Sequence, residues 1–304
     1  MVILRALLAA ACLFAAGAVP ALAADAAPRA ARVEHVVLVS MDGLRPDVAL
    51  RANMKNLRAL MDAGAFSFWA RTTAVSVTLP SHTSMVTGVP PDEHEIEWNR
   101  DMPFSSPVYP SYPTVMELAT RAGKTSAMAA GKSKFSVLNK PGTIAQVFVP
   151  TQSFIDDATV GDHAVEMIAR ARPTLLFVHL PGVDIAGHTV GWGTPAQLRA
   201  AEGVDAQLGR ILAALDAAGI RGSTAVLVSA DHGGAGLTHG ADDPRSRHIP
   251  WILSGPGVRR GFDLTRKRDL EIHTEDSAAT ICYLLGLDCG NITGQPVLAA
   301  FEKP

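Results

Sequence analysis

Three continuous apolar runs in the chain each end at, or shortly before, acidic and histidine side chains. The runs and the polar residues after them are 36–41 before Asp42, 175–180 before Asp184 and His188, and 225–230 before Asp231 and His232. Largely apolar runs of this length are typical of strands that are buried on both faces of a sheet. In such sheets ligands bind beyond the carboxyl ends of the strands, so we expect these polar side chains to share one site.

Amphipathic segments separate the apolar runs and predict helices between the strands. We predict helices at 53–63, 81–86, 112–122, 155–171, 195–218 and 275–285, and further strands at 125–130 and 249–254. Thr194 is expected to cap the helix that Pro195 opens and Gly219 closes. This alternation predicts the α/β class, as a layered sandwich around a central, mostly parallel sheet.

Glycine and proline cluster in two segments, 88–113 and 233–244, which we predict to be loops that border the site. The sequence shows no internal repeat, low-complexity linker or break in composition. Residues 24–304 are therefore expected to form a single domain.

The first residues have the pattern of an export signal. A short segment that contains Arg5 precedes an apolar stretch at 6–19, and small residues follow as far as Ala23. This pattern predicts a signal peptide at 1–23 and an exported protein, either periplasmic or secreted. The apolar stretch is shorter than the roughly 20 residues of a membrane-spanning helix, and no later stretch is long enough, so we expect no membrane span in the mature chain.

Charge and cysteine content restrict the partners and the compartment. A formal net charge of −2 disfavours a nucleic-acid-binding surface, which usually has a basic excess. Cys12 lies within the predicted signal, which leaves Cys282 and Cys289 in a compartment where disulfides persist. These two cysteines are expected either to form a bridge across the end of a helix or to be two buried thiols.

The polar residues at the strand ends have the chemistry of metal ligands. Asp184 and His188 are four residues apart, so a helical turn would place both on one face. Asp231 and His232 directly follow a strand, and Gly233 lets the backbone turn away behind them. Mixed carboxylate and imidazole ligands suit zinc or a similar divalent ion better than calcium. Each pair alone is also compatible with an ordinary ion pair or turn.

Thr78 lies just before a predicted helix. Pro80 suits the first position of a helix over 81–86, which would place the Thr78 hydroxyl near free N–H groups that favour an anion. A metal ion at that hydroxyl would lower its pKa and make it a nucleophile. Taken by itself, the position is also that of a plain helix cap.

Together, these segments resemble the alkaline phosphatase superfamily, and most closely its type I phosphodiesterase and nucleotide pyrophosphatase branch. The motifs are Asp-Gly-Leu-Arg-Pro-Asp at 42–47, Thr-Leu-Pro-Ser-His at 78–82, Thr-Gly-Val-Pro-Pro at 87–91, Trp-Asn at 98–99, Asp-x-x-Gly-His at 184–188, Asp-His-Gly-Gly at 231–234 and His-Gly at 239–240. The resemblance covers nearly the whole mature chain and implies an alkaline-phosphatase-like fold. Glu95 departs from the pattern, since it stands where relatives usually carry glycine.

The resemblance implies two divalent metal ions, most consistent with zinc. The ion that activates the nucleophile would be held by Asp42, Thr78, Asp231 and His232, and the other by Asp184, His188 and His239. His239 is preferred over His248 because relatives place the last histidine in a His-Gly loop some residues before a strand. The remaining histidines are interpreted as structural or surface residues, namely His35, His82, His94, His163, His179 and His273.

The resemblance also implies substrate-binding residues. Asn99 follows Thr78 by the interval at which relatives carry an asparagine that binds a phosphoryl oxygen. Lys132 and Lys134 resemble, imperfectly, a Lys-x-Arg pair of some phosphate monoesterases. Alternate residues of an extended segment face the same side, so both ammonium groups would reach one anion. Two solvated loop lysines are the alternative interpretation.

The reaction that the resemblance implies is hydrolysis of a small-molecule phosphate ester. Thr78 would attack phosphorus and expel the alcohol, and water would then hydrolyse the phosphothreonine. A phosphodiesterase of the nucleotide pyrophosphatase type is preferred, with a phosphate monoesterase as the alternative.

Three other functions are disfavoured. Thr78 and His82 stand where a sulfatase carries an oxidised Cys or Ser and an Arg. A phosphomutase would find few phosphorylated sugars or glycerates outside the cell. A binding module without catalysis would not need to retain every expected ligand type.

Overall fold

The computed structural model describes residues 33–102, 104–240 and 242–302. The predicted signal peptide at 1–23 lies outside the described residues. Within the described ranges, no helix combines the length and the apolar character needed to cross a membrane.

Eight strands form one central sheet in the described part of the chain. They are β1 (His35–Met41), β2 (Ala65–Arg71), β3 (Ser126–Ala130), β4 (Gln146–Phe148), β5 (Leu175–Leu180), β6 (Thr224–Ser229), β7 (His248–Ser254) and β8 (Phe262–Asp263). Their order across the sheet is β4-β3-β5-β1-β6-β7-β2-β8. β7 is antiparallel to β6 and to β2, whereas the other neighbours are parallel. The predicted mostly parallel central sheet is thus confirmed.

The helices pack in two groups. They are α1 (Pro46–Arg51), α2 (Lys55–Ala63), α3 (Thr78–Thr87), α4 (Pro91–His94), α5 (Val115–Arg121), α6 (Asp157–Ala171), α7 (Gly182–Val190), α8 (Pro195–Ala217), α9 (Pro244–Arg247) and α10 (Asp276–Leu285). The first group gathers α1, α2, α6 and α7 around α8, and the second consists of α3, α5 and α10. The strands between them are buried, with β1, β5 and β6 almost wholly apolar. The predicted layered α/β architecture is confirmed.

Local signals place most of the helix ends within a few residues. The Thr194 side chain accepts a hydrogen bond from the Gln197 N–H and caps α8, as predicted, and Gly219 follows its end with a φ of +71°. The helix predicted to begin at residue 81 instead begins at Thr78, so Pro80 occupies its third position. Proline is tolerated there because the first N–H groups of a helix have no intrahelical acceptor. Strand β2 was not predicted, since its sequence alternates irregularly between buried and exposed positions.

Two open questions from the sequence are decided by the fold. Cys282, in α10, and Cys289, just after it, form a disulfide, so the bridge is correct and the pair of free thiols is not. Glu95 ends α4 with a φ of +66°, in the left-handed region. Glycine adopts that conformation without steric cost, so the backbone fits the glycine that the resemblance implies at this position.

Candidate metal centre

Three neighbouring strands deliver carboxylates and imidazoles to one edge of the sheet. β1 lies between β5 and β6, and the parallel registers pair Met41 with Leu180 and Ser40 with Ser229. Asp42 directly follows β1, α7 follows β5 after one residue, and residues 231–232 follow β6. Because the carboxyl ends of parallel strands meet at one edge, the side chains that follow them converge there.

The inner half-site, as we call it, consists of Asp42, Thr78, Asp231 and His232, all of which are buried. Nε2 of His232 lies 3.3 Å from Oγ1 of Thr78. The same atom lies 3.4 Å from Oδ1 of Asp42 and 3.1 Å from Oδ2 of Asp231. Ligand atoms around a tetrahedral zinc ion with bonds of about 2.0–2.1 Å lie about 3.3 Å from one another. The distances from His232 therefore match the spacing of a zinc coordination shell.

Three carboxylate oxygens near His232 have no hydrogen-bond partner among the described residues. They are Oδ1 of Asp42, Oδ1 of Asp184 and Oδ2 of Asp231. A buried carboxylate oxygen without a partner carries an uncompensated desolvation cost, so such an atom needs a donor or a cation. Three of them around one imidazole nitrogen form a donor set that fits a divalent metal ion.

Protonation in the inner half-site follows from burial and from the neighbouring charges. Burial raises the pKa of Asp42, but Lys132 and His179 outweigh this effect and hold it well below its usual value. Burial and then the charge of Asp42 raise the pKa of Asp231 well above its usual value. Burial lowers the pKa of His232 to about 4, so the imidazole is neutral near pH 7, as a metal ligand must be.

The outer half-site consists of Asp184 and His188, both in α7, and of His239 in the loop before α9. Nε2 of His188 lies 3.1 Å from Nε2 of His239. Oδ1 of Asp184 lies 3.4 Å from the first of these atoms and 3.7 Å from the second. The four-residue spacing in α7 thus places Asp184 and His188 on one face, as predicted, and the loop supplies the third ligand type.

The three histidines of the two half-sites share one arrangement. Nδ1 of His188 bonds to the Leu237 carbonyl at 2.9 Å, and Nδ1 of His239 bonds to the Ser76 carbonyl at 2.9 Å. Nδ1 of His232 lies 2.8 Å from its neighbouring carbonyl, that of Gly233. A carbonyl partner requires the proton on Nδ1, which leaves Nε2 as an acceptor that points into the site. Metal-binding histidines in proteins are held in the same way.

Two histidines that were predicted to be structural or surface residues lie directly behind the inner half-site. Nε2 of His179 lies 2.8 Å from Oδ2 of Asp42, and its Nδ1 accepts the Gly131 N–H at 3.2 Å, so His179 donates to the carboxylate. His82 bonds to the Thr78 carbonyl through Nδ1 at 2.8 Å and to Ser40 through Nε2 at 2.7 Å. His179 interrupts an otherwise apolar run, and that interruption was the available sequence signal.

Lys132 and Lys134 do not share the extended segment that the sequence analysis assumed, because a 3₁₀ helix begins at Ser133. Lys132 is buried, and its Nζ lies 2.6 Å from Oδ2 of Asp42 and 2.6 Å from Oδ2 of Asp184. Burial lowers the pKa of Lys132, but the two carboxylates outweigh it and raise the pKa above its usual value. Lys132 therefore connects the two half-sites and is not a solvated loop lysine.

Lys134 lies instead beside Asn99. Its Nζ donates to Oδ1 of Asn99 at 3.0 Å, and the Leu79 N–H donates to the same oxygen at 3.1 Å. Burial and then the charge of Lys132 lower the pKa of Lys134. The two donors fix the Asn99 amide at the N-terminus of α3, one residue from Thr78.

Gly43 allows the two half-sites to approach each other. Its φ is +73°, and a Cβ at this position would lie 2.8 Å from Cα of Asp184. The Gly43 N–H donates to Oδ1 of Asp231 at 3.1 Å, and its carbonyl accepts the Trp192 indole N–H at 3.0 Å. A side chain here would therefore separate α7 from the end of β1.

The structure separates His239 from His248, the two histidines considered for the last metal ligand. His239 lies with Asp184 and His188, whereas His248 is in β7, where its ring stacks on Trp69 with 3.8 Å between the ring centroids. The structure thus brings all seven predicted metal ligands together and leaves His248 outside the group.

Comparison with known proteins gives a family match and a fold match. A family model of the type I phosphodiesterases and nucleotide pyrophosphatases matches residues 36–243, a range that contains both half-sites. The solved structure of murine ectonucleotide pyrophosphatase/phosphodiesterase 5 superposes with a TM-score of 0.75 at 16% identity, and covers 88% of this chain and 100% of that chain. This likeness shows a shared fold.

The curated relatives are longer than this chain. A 2,3-bisphosphoglycerate-independent phosphoglycerate mutase of Haloarcula marismortui is 27% identical over 248 residues, which are 73% of this chain and 44% of the mutase. An uncharacterized pyrophosphatase/phosphodiesterase of Schizosaccharomyces pombe is 26% identical over 217 residues, which are 65% of this chain and 44% of that protein. The chain therefore spans less than half the length of these relatives.

Proposed function

The chain belongs to the type I phosphodiesterase and nucleotide pyrophosphatase family, and on this premise we propose that it is a metal-dependent hydrolase of small-molecule phosphate esters. The observation that carries the proposal is the set of three buried carboxylate oxygens without hydrogen-bond partners around His232. Buried carboxylate oxygens in this state need a hydrogen-bond donor or a cation, and the imidazole beside them is neutral.

Two divalent ions, with zinc as the preferred metal, would be held by the two half-sites. Asp42, Thr78, Asp231 and His232 would hold one ion, and Asp184, His188 and His239 the other. Bound ions of this kind lower the pKa of a hydroxyl and stabilise the negative charge that develops on a transferring phosphoryl group.

Thr78 is the proposed nucleophile. Its position in the first turn of α3 and the hydrogen bond that its carbonyl accepts from His82 fix its backbone, and Oγ1 lies 3.3 Å from Nε2 of His232. Attack of Oγ1 on phosphorus forms a Thr78–phosphorus bond and breaks the bond to the leaving alcohol, which takes up a proton. Water then cleaves the phosphothreonine and regenerates the hydroxyl.

Asn99 and Lys134 are proposed to bind the phosphoryl oxygens. Oδ1 of Asn99 is occupied by the Leu79 N–H and by Lys134, so the amide NH₂ is left to donate to substrate. Lys134 adds a positive charge within reach of the same oxygens. Donors fixed before the reaction stabilise the transition state without reorganisation.

The phosphodiesterase or nucleotide pyrophosphatase type is the first candidate, because it is the type of the family. A phosphate monoesterase is the second, because Lys134 provides a half-buried ammonium group beside Asn99. A monoester dianion carries one more negative charge than a diester and gains more from this group. Lys132 serves less well for this purpose, since two carboxylates already engage it.

We also propose that the protein is exported. The pattern at 1–23 is that of a signal peptide, with the hydrolase domain at 24–304. The disulfide between Cys282 and Cys289 supports an oxidising compartment, because cytosolic thiols are kept reduced.

The deciding experiment compares 4-nitrophenyl phosphate with bis(4-nitrophenyl) phosphate, which have the same leaving group. Purified protein loaded with zinc should hydrolyse at least one of them, and faster hydrolysis of the diester would identify the phosphodiesterase type. Metal-loaded protein that hydrolyses neither of these esters nor a nucleoside 5′-(4-nitrophenyl) phosphate would refute the proposed function.

A further inference from the structure

A second group of buried polar atoms without hydrogen-bond partners lies at the ends of β2 and β7. It consists of Thr72 Oγ1, Arg247 Nε, His248 Nδ1 and Thr274 Oγ1, all within the described residues. Backbone hydrogen bonds hold the group together, from the Thr72 N–H to the Arg247 carbonyl at 2.9 Å and from the Thr274 N–H to the Arg71 carbonyl at 2.8 Å. Arg71 is also the cross-strand partner of His248.

These atoms differ in chemistry from the unpartnered atoms of the metal centre. There the unpartnered atoms are carboxylate oxygens, which accept and attract a cation. Here they are a guanidinium N–H, two hydroxyl groups and an imidazole nitrogen, each of which donates or is able to donate. Buried donors without partners favour a ligand that is rich in acceptors.

Two residues of this group, Arg247 and His248, line a cavity of about 300 Å³, and Thr72 and Thr274 lie behind them outside its lining. The full lining consists of Arg71, Asp242, Pro244, Arg247 and His248. The two guanidinium groups outnumber the single carboxylate, that of Asp242, which pairs with Arg247 at 2.7 Å. Burial, followed by the charges of Arg71 and Arg247, lowers the pKa of His248.

The cavity lies at the same edge of the sheet as the metal centre. β7 is the neighbour of β6 and runs antiparallel to it, so His248 at its start is near the end of β6. The Gly233 N–H, next to His232, bonds to the Ser246 carbonyl at 2.8 Å. Arg71 lies one strand farther, which separates it from His232 by two strand spacings, roughly 10 Å.

We propose that this cavity binds an oxyanion, such as a phosphate, sulfate or carboxylate group. Arginine donates two parallel hydrogen bonds to such groups, and a charge-assisted pair is stronger than a neutral one. The oxyanion is either a second anionic group of the substrate, about 10 Å from the scissile phosphate, or a free anion that binds independently. The first source rests on the proposed function, whereas the second does not.

Trp69 provides a direct reporter of binding. Its indole is 64% exposed and stacks on the His248 ring with 3.8 Å between centroids. Titration of the protein with sulfate should change the tryptophan fluorescence as the imidazole gains a partner, and Trp69→Phe should remove this change. Arg71→Ala should weaken the sulfate affinity roughly tenfold or more, the size expected for one lost charge-assisted hydrogen bond. Arg71 is exposed, so truncation of its side chain should leave the fold intact.

Arg245→Ala is the matched control. Arg245 lies in the same short helix as Arg247 and pairs with Asp243, but it does not line the cavity. This variant loses the same charge and should keep the wild-type affinity for sulfate. Equal affinities of wild type, Arg71→Ala and Arg245→Ala for sulfate would overturn the proposal, and so would equal losses in both variants.

The source of the oxyanion is decided with two diesters that share a 4-nitrophenyl leaving group. One carries a second phosphate about 10 Å beyond the scissile phosphate, and the other a hydroxyl at that place. A roughly tenfold rise in KM for the doubly anionic ester alone, with kcat unchanged in Arg71→Ala, would assign the cavity to the substrate. Loss of sulfate binding without this rise supports a free anion. If neither ester is hydrolysed, the proposed function fails, and the fluorescence titration still decides the cavity.

Discussion

The inner and outer half-sites present the same kinds of ligand and differ at one side chain, since Asp184 and His239 are only 5% and 7% exposed and His188 alone reaches the surface. Asp42, Asp231 and His232 have no exposed surface, and Thr78 is only 1% exposed. In the outer half-site the His188 side chain is 45% exposed, and His239 comes from a glycine-rich loop. The other inner ligand atoms nevertheless lie 3.1–3.4 Å from Nε2 of His232, and the outer ligand atoms lie 3.1–3.7 Å from one another.

The difference follows from where each ligand is attached. The inner ligands are at the ends of core strands and in the first turn of a buried helix, so packing holds them in position. The outer ligands lie on one face of α7 and in a loop, which leaves room for solvent and substrate. In the proposed reaction, the buried half-site would activate the nucleophile, and the half-site that contains the exposed His188 would meet substrate and water.

Replacement of the nucleophile should have the largest effect and is the strongest test of the inner half-site. We expect Thr78→Ala to reduce kcat by about 10⁴-fold, because no other hydroxyl replaces the attacking group. Zinc content and thermal stability should change little, since three protein ligands remain. Thr78→Ser should keep part of the activity. An alanine variant with near wild-type turnover would exclude Thr78 as the nucleophile.

Removal of an outer ligand should separate the two half-sites. We expect His239→Ala to lose one of about two zinc ions per chain and to reduce kcat/KM by roughly 10²–10³-fold, because one of the two charges at the phosphoryl group is missing. His248→Ala is the control and should keep both ions by elemental analysis. During chelation of the wild type, the exposed outer ion should leave first, and added zinc should restore activity. Loss of an ion in His248→Ala alone would reverse the assignment.

Replacement of Lys132 tests the connection between the half-sites. Lys132→Met would leave the carboxylates of Asp42 and Asp184 buried without their shared cation. We expect the metal-free variant to unfold with a free energy about 3–5 kcal/mol lower than that of the metal-free wild type. Zinc should reduce this difference, because bound ions neutralise the same carboxylates. Denaturant unfolding with and without chelator measures both values. An equal loss of unfolding free energy in the metal-free and the zinc-loaded protein would contradict a link between Lys132 and the metal centre.

His94 provides a comparison with a buried imidazole outside both half-sites. It bonds to Ser84 and accepts the Ile96 N–H, and burial lowers its pKa from 6.5 to about 4. The unfolded chain therefore takes up the proton first, so stability is lost as the pH falls from about 6.5 to 4, by up to about 3 kcal/mol.

His94→Gln should remove this acid-dependent loss while keeping a side-chain acceptor. Unfolding free energies measured between pH 7 and pH 4 should show the same reduction in slope with and without zinc. If the slope of the unfolding free energy against pH is reduced only in the metal-free protein, His94 is coupled to the metal centre, which would contradict this prediction.

Replacement of Lys134 should have the smallest effect, and it tests how the protein binds the phosphate group of the substrate. We expect Lys134→Ala to lower the kcat/KM of a phosphate monoester by roughly tenfold, about 1.4 kcal/mol, and that of the matched diester less, because the monoester carries the additional charge. Lys140→Ala, which removes a lysine paired with Glu117, is the control. Equal losses on both esters would indicate general phosphate binding, and no loss on either would favour a diesterase.

Much of the architecture was predictable from local chemistry. The apolar runs of β1, β5 and β6 are long enough to require burial on both faces, and Thr194, Pro195 and Gly219 mark the ends of α8. The carboxyl ends of parallel strands share an edge, so Asp42, Asp184 and Asp231 were expected to meet. Strand β2 and the start of α3 at Thr78 were not predicted, because their signals come from neighbours that are distant in sequence.

The sequence by itself determined the types and the order of the proposed metal-ligand residues, since spacing and strand ends are local properties. Only the tertiary structure decided which groups surround them. His179 lies 137 residues from Asp42 and Lys132 lies 52 residues from Asp184, yet each contacts its partner within 2.8 Å. Such contacts arise when strands and helices from distant parts of the chain pack against one another. No pattern along the chain records that packing, and the same reason hides the oxyanion cavity between β2 and β7.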